Sequence, residues 1–144
     1  GQAEPLAAPD VAQPIARPES WGPGYIDAIE WRSLNGSFAE QGPATVWARQ
    51  RVALVEGEEP SQLQRLLTIA DSGNGVSSTF DPQQWWFINP ELTVHIQREP
   101  VGEWIALDAA TVIGPDGVGT ARSTMHDERG QVANGSQALM VRRR

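Results

Sequence analysis

The chain has 144 residues, a formal net charge of −7, 40% hydrophobic residues and no cysteine. That length holds one domain with a single core, and the missing cysteine excludes disulfides, thiolate nucleophiles and Cys-based zinc sites. Its 11 fixed cations are all arginine and form no basic stripe, so neither nucleic acid nor an anionic membrane is an expected partner.

Residues 1–24, "GQAEPLAAPDVAQPIARPESWGPG", hold five of the eleven prolines. No periodicity survives there, which predicts an extended arm or inter-unit linker, with the folded domain over 25–144. A short strand is expected at 25–31, "YIDAIEW", before the turn "LNGS" (34–37). "ATVWARQRVAL" (44–54) alternates: Val46, Ala48, Val52 and Leu54 share one face, and Trp47, Arg49 and Arg51 the other, the period of a half-exposed strand. In "VEGEEPSQLQRLLTIADSGNG" (55–75), Pro60 suits a first helical position behind Glu58 and Glu59. Leu63, Leu66, Leu67 and Ala70 then fall on one helical stripe. "SGNG" is expected to stop this helix, with Gly73 or Gly75 in the left-handed conformation.

Strands follow. "QWWFINPELTVHIQRE" (84–99), "EWIALDAATVI" (103–113), "VGTARSTMHD" (118–127) and "VANGSQALMV" (132–141) form a meander joined by the turns "GPDG" and "ERGQ". The closing "RRR" (142–144) reads as a solvated tail. No apolar run approaches the ~18 residues a bilayer crossing needs, and no signal-peptide pattern opens the chain. With the missing cysteine, this is the profile expected of a cytoplasmic protein. One helix among antiparallel strands is best buried by a curved sheet wrapped around it. The fold class expected is therefore α+β, the hot-dog arrangement, whose open sheet edge calls for a second hot-dog unit.

Three polar residues stand out. Asp71 lies about 40° from Leu67 on the helical wheel, so it borders the expected buried stripe at the negative end of the helix dipole. Burial and the dipole both disfavour the charged form, a disposition suited to a general base; alternatively, Asp71 only bonds the Ser72–Gly75 turn. Gln137 sits in a strand whose same-parity residues read as buried, where an amide needs a partner, and a neighbouring backbone group would serve. Asn89, in "FINPEL", is a turn residue before Pro90 or a functional amide. His95 and His126 lack metal-ligand spacing. No GxSxG elbow is present, and "GPDGVG" (114–119) is a hairpin turn, not a phosphate loop.

"GPATVWARQRVALVEGEEPSQLQRLLTIADSGNGVS", "FINPELTVHIQREPVGEWIALDAAT" and "GPDGVGTARSTMHDERGQVANGSQALMV" closely resemble the C-terminal half of the acyl-CoA thioesterase II-like family, from roughly residue 17 to the end. The resemblance implies two fused hot-dog units, the C-terminal one carrying an Asp, a Thr or Ser, and a Gln that position a hydrolytic water. By these motifs the Asp falls on Asp71 and the Gln on Gln137, and Asn89 takes the hydroxyl residue's place, as donor and acceptor from separate atoms. It further implies acyl-CoA or a related acyl thioester as substrate in fatty acid metabolism, and no cofactor beyond coenzyme A as part of that substrate. The N-terminal unit is missing, so this is an excised half or two copies pair as a dimer. The alternative is a non-catalytic acyl-binding or dimer-completing unit. A hot-dog hydratase is disfavoured because "INPELTVH" lacks the preceding Gly-Asp and sets its His too far along.

Overall fold

The computed structural model describes residues 4–144. In chain order the elements are β1 (Gln13–Ile15), α1 (Tyr25–Ala28), β2 (Ile29–Asn35), β3 (Ala44–Gln50), α2 (Gln62–Ala70), α3 (Gly73–Val76), β4 (Trp85–Ile96), β5 (Trp104–Ile113), β6 (Val118–Asp127) and β7 (Gly130–Arg143). The strands make one seven-stranded sheet in the order β1-β2-β3-β5-β6-β7-β4, antiparallel at every pairing. Its inner face closes on α2 and α3, burying Leu66, Ile69, Ala70 and Val76 against Trp31, Val46, Ile105, Leu107, Met125 and Ala133. This is the hot-dog arrangement the strand–helix–strand order predicted. Among the described residues no helix is long and apolar enough to cross a membrane.

The central helix begins two residues later than Pro60 suggested. Ser61 is the N-cap: its hydroxyl accepts from Gln64 N–H at 3.2 Å, and Gln64 Oε1 accepts from Ser61 N–H at 2.8 Å. That reciprocal pair is the capping box written in "SQLQ". The buried face is also rotated from the expected stripe. Leu66, Ile69 and Ala70 face the sheet with Arg65, while Leu63 and Leu67 stay 42% and 45% exposed. The rotated face continues through Gly73 and Val76 of α3, both buried. Neither Gly73 nor Gly75 has a positive φ. The "SGNG" stretch therefore does not end in a left-handed cap but runs into a second helical turn.

Two further expectations are corrected. Residues 25–28 form a helical turn, not a strand, and the strand starts at Ile29. Asp27 closes that turn by accepting from Gly24 N–H and the Arg17 guanidinium. The strand expected over 44–54 stops at Gln50, leaving Val52 and Leu54 exposed in the loop that follows.

Of the arm expected over 1–24, residues 1–3 lie outside the described residues. The following residues run along the outer face of the sheet, where Leu6 and Ala12 pack with Trp47, Trp104 and Ala106. Ala7 O accepts from Trp47 Nε1 at 2.8 Å, so Trp47, predicted on a half-exposed face, is fully buried. Gln13–Ile15 then pair with β2 as an edge strand, a place that tolerates Pro14 because one side of the strand needs no ladder bonds. The final arginines are likewise not a free tail: β7 runs through Arg143, and the Arg143 and Arg144 guanidinium groups lie over the Trp85 and Trp86 rings.

Candidate active site

Each element that brings a polar side chain to the end of α2 does so for a local reason. Asp71 is the C-cap residue, in right-handed helical conformation, so its carboxylate stays on the helix end while the chain turns into α3. Gln137 lies on the inner face of β7 and is buried at 2% exposure. Its Oε1 accepts from Asn74 N–H at 2.9 Å; its Nε2 donates to Asp71 O at 3.0 Å and to Asp71 Oδ1 at 3.3 Å. Gly73 makes this possible, because a Cβ there would stand 3.1 Å from Gln137 Oε1, tighter than side chains ordinarily pack. The glycine is required by close approach, not by a left-handed turn.

Asn89 arrives by a different device. The β4–β7 register slips between Ile88 and Glu91, where Pro90 has no N–H to give the ladder. Before the bulge Trp85, Phe87 and Asn89 are the half-buried residues of β4; after it they are Leu92 and Val94. The one-residue change of phase puts Asn89 on the inner side without disturbing the packing of Leu92. Its Nδ2 donates to Asp71 Oδ1 at 2.7 Å.

All three residues singled out in the sequence therefore meet at one carboxylate. Asp71 Oδ1 takes N–H bonds from both amides, while Oδ2 makes no hydrogen bond among the described residues. Gln137 has spent both its N–H groups and its oxygen on α2 and α3. It orients Asp71 rather than offering a free donor. Asp71 itself is exposed in the single chain, so the burial expected beside a Leu63–Leu67 stripe is not supplied by this unit. The carboxylate is held by hydrogen bonds instead.

Sequence reasoning missed Tyr25. From α1 its hydroxyl donates to Thr68 O at 2.7 Å and shares a 2.9 Å hydrogen bond with Ser72 Oγ. Burial of the hydroxyl, against the opposing hydrogen bond from Ser72 and with the nearby Asp71 charge, pushes the Tyr25 phenol up to about 12. It is a neutral donor at any working pH. Tyr25 also lines a cavity of about 240 Å³ with Trp21, Ile26, Phe38, Asp71 and Gly75. The only signal was one tyrosine directly after a "GPG", too little to place it at the end of a helix more than forty residues on.

The histidines stand apart. His95 is exposed on β4. His126 is buried on β6, with Nε2 3.1 Å from Thr124 Oγ1. Burial lowers its pKa, partly offset by Asp108 and Asp127. Among the described residues no group of three His, Asp or Glu side chains is arranged to hold a metal ion.

A curved antiparallel sheet wrapped around one central helix is the hot-dog fold. The sequence matches the family described as acyl-CoA thioesterase C-terminal domain over residues 7–141, and the chain belongs to that family. Among solved structures it is similar to a protein of unknown function with a hot-dog fold from Alicyclobacillus acidocaldarius, at 13% identity and TM-score 0.71, over 99% of this chain and 55% of that one. It is similar to an acyl-CoA thioesterase II from Mycobacterium marinum at 14% identity and TM-score 0.58, over 99% of this chain and 60% of that one. A thioesterase family protein from Silicibacter pomeroyi is matched at 19% identity and TM-score 0.56, over 79% of this chain and 84% of that one. Comparison with curated proteins gave no match. The chain thus spans little more than half the length of several of the proteins it resembles.

Proposed function

We propose that this chain hydrolyses acyl thioesters, with acyl-CoA as substrate and Asp71 as general base. The observation that carries the reading is the 2.7 Å bond from Asn89 to Asp71 Oδ1. Together with Gln137 it pins one carboxylate oxygen and leaves Oδ2 to accept from water. Water between Oδ2 and the Asn89 amide attacks the thioester carbonyl carbon and passes a proton to Asp71. The tetrahedral intermediate collapses by breaking the C–S bond, and the thiolate takes up the proton held on Asp71. The products are a carboxylic acid and coenzyme A, and no redox or metal cofactor enters the balance. General-base assistance of this kind contributes on the order of 10²–10⁴-fold.

A second hot-dog unit is the proposed partner, supplied by another copy or by the rest of a longer chain. Support comes from β4, which among the described residues pairs only with β7 and leaves its other edge open, and from exposed Leu63 and Leu67 on α2. A non-catalytic acyl-binding or dimer-completing role is the second reading, favoured by the exposure of Asp71 in this unit. The experiment is thiol release from a panel of acyl-CoAs by wild type and Asp71→Asn, with the mass in solution measured in parallel. Turnover lost in the variant supports hydrolysis with Asp71 as base. No turnover from a folded dimer of either protein favours the second reading.

A further inference from the structure

The cavity beside Asp71 has a mixed lining, apolar and polar. It combines apolar Trp21, Ile26 and Phe38 with polar Asp71, Ser72 and Asn74 from the end of the helix. Trp21 and Phe38 also line a second cavity of about 370 Å³, bounded further by Ala39, Ser78, Phe80 and Pro82. These two rings meet edge to face with centroids 5.7 Å apart. They are the two lining residues common to the 240 Å³ cavity and the larger one. Phe38 is fixed from behind by the Trp31 ring at 4.7 Å, perpendicular to it. Trp21 is only half-buried and belongs to the connection between β1 and α1.

We infer that the cavity beside Asp71 receives the acyl chain, and that the Trp21–Phe38 pair acts as a partition that limits its length. This rests on the thioesterase reading above and deepens it by naming the substrate class: acyl groups short or compact enough to end against the two rings. An apolar chain placed there buries its surface against aromatic walls, with its thioester end on the side of Asp71. The partition acts like the floor of a specificity pocket, where each methylene too many meets a ring. Gly75 offers an independent handle. It lines the same cavity, its φ is not positive, and a Cβ built on it has Phe38 Cε1 at 3.9 Å as its nearest neighbour. A side chain there enters the cavity without backbone strain.

The test is a chain-length profile. Initial rates of thiol release are measured for saturated acyl-CoAs from acetyl to palmitoyl with wild type, Trp21→Ala and Gly75→Val. In parallel, calorimetric titration of the same ligands into Asp71→Asn, alone and combined with each substitution, reads binding when turnover is absent. Removing the Trp21 ring joins the two cavities. It is expected to raise kcat/KM for the longest relative to the shortest chains by roughly tenfold or more, the scale on which a hydrophobic pocket discriminates methylenes. Gly75→Val is expected to move the preference the opposite way. Asp71-dependent turnover with the same profile in all three proteins overturns the partition and leaves the hydrolase reading standing. Binding that shifts with the substitutions without turnover in wild type upholds the partition and overturns hydrolysis. Absence of both binding and turnover overturns both.

Discussion

Asp71 and Asp127 both accept hydrogen bonds from side chains on other elements, and their surroundings differ in an instructive way. Asp127, at the end of β6, is fully buried. Its Oδ1 accepts from Arg98 Nη2 at 2.6 Å and Arg129 N–H at 2.8 Å; its Oδ2 accepts from Arg98 Nη1 at 2.7 Å and Val101 N–H at 2.9 Å. Both oxygens are saturated, and the bidentate pair ties the β4–β5 loop to the β6–β7 turn. Asp71 has two donors on one oxygen and none from the described residues on the other. Asp127 spends its accepting capacity on the fold, whereas Asp71 keeps one oxygen open, as the proposed general base requires.

Substitutions at the two sites should separate rate from stability. Asp71→Asn is expected to lower kcat for acyl-CoA hydrolysis on the order of 10²–10⁴-fold with little change in thermal midpoint, read by thiol release and calorimetry. Asp127→Asn should do the reverse. Breaking a buried ion pair costs about 3–5 kcal/mol, and here the lower end applies because the Arg98 side chain is 34% exposed. Denaturant unfolding would register that loss, while kcat per folded molecule stays at the wild-type value. Equal loss of stability at both positions would erase the distinction.

Acid titration sharpens it. Burial pushes the Asp127 carboxyl up, but the Arg98 hydrogen bonds and the N–H groups of Val101 and Arg129 outweigh it and hold the group below its ordinary 3.8. Because the folded-state value is the lower one, Asp127 contributes stability at any pH above 3.8. That contribution declines as pH falls below the ordinary value and is gone below the lowered one. Stability measured against pH should therefore fall in that acid window for wild type and fall less for Asp127→Asn. An identical acid limb in both would assign it elsewhere.

Smaller effects are expected around Asp71. Gln137→Ala leaves the half-buried Asn74 N–H without its partner and frees the carboxylate to rotate. A cost of roughly 1–3 kcal/mol follows from the unsatisfied donor, with kcat reduced more than KM is raised, since the amide orients the base without meeting substrate. Tyr25→Phe removes one neutral hydrogen bond to Thr68 O and one to Ser72. It should cost about 1 kcal/mol and leave the pH–rate profile unchanged, because the phenol, pushed up to about 12, does not titrate near neutrality.

Much of this arrangement could be read in advance because it depends on near neighbours in the chain. The β5–β6–β7 meander follows from alternation and from its turns, and α2 from a helical repeat with a stop. Asp71 and Gln137 were conspicuous as polar residues bordering or sharing a buried parity, and Asn89 entered through its Pro. The rotation of α2 was not legible. Leu63 and Leu67 fit a helical stripe as well as Ile69 does, and only the curvature of the sheet selects the face through Leu66, Ile69 and Ala70.

The sequence by itself determined the fold class and the three polar positions, since periodicity, proline placement and capping act within a few residues. Tertiary structure decided what no local pattern encodes. The Leu6–Ala12 segment covers Trp47, turning an apparently half-exposed strand into a buried one. Arg98 finds Asp127 across two turns. The Pro90 bulge turns Asn89 inward, and Tyr25 reaches the end of a helix that begins far down the chain. Such contacts join segments whose separation is set by how the sheet wraps, so they exist only once the chain has closed on its core.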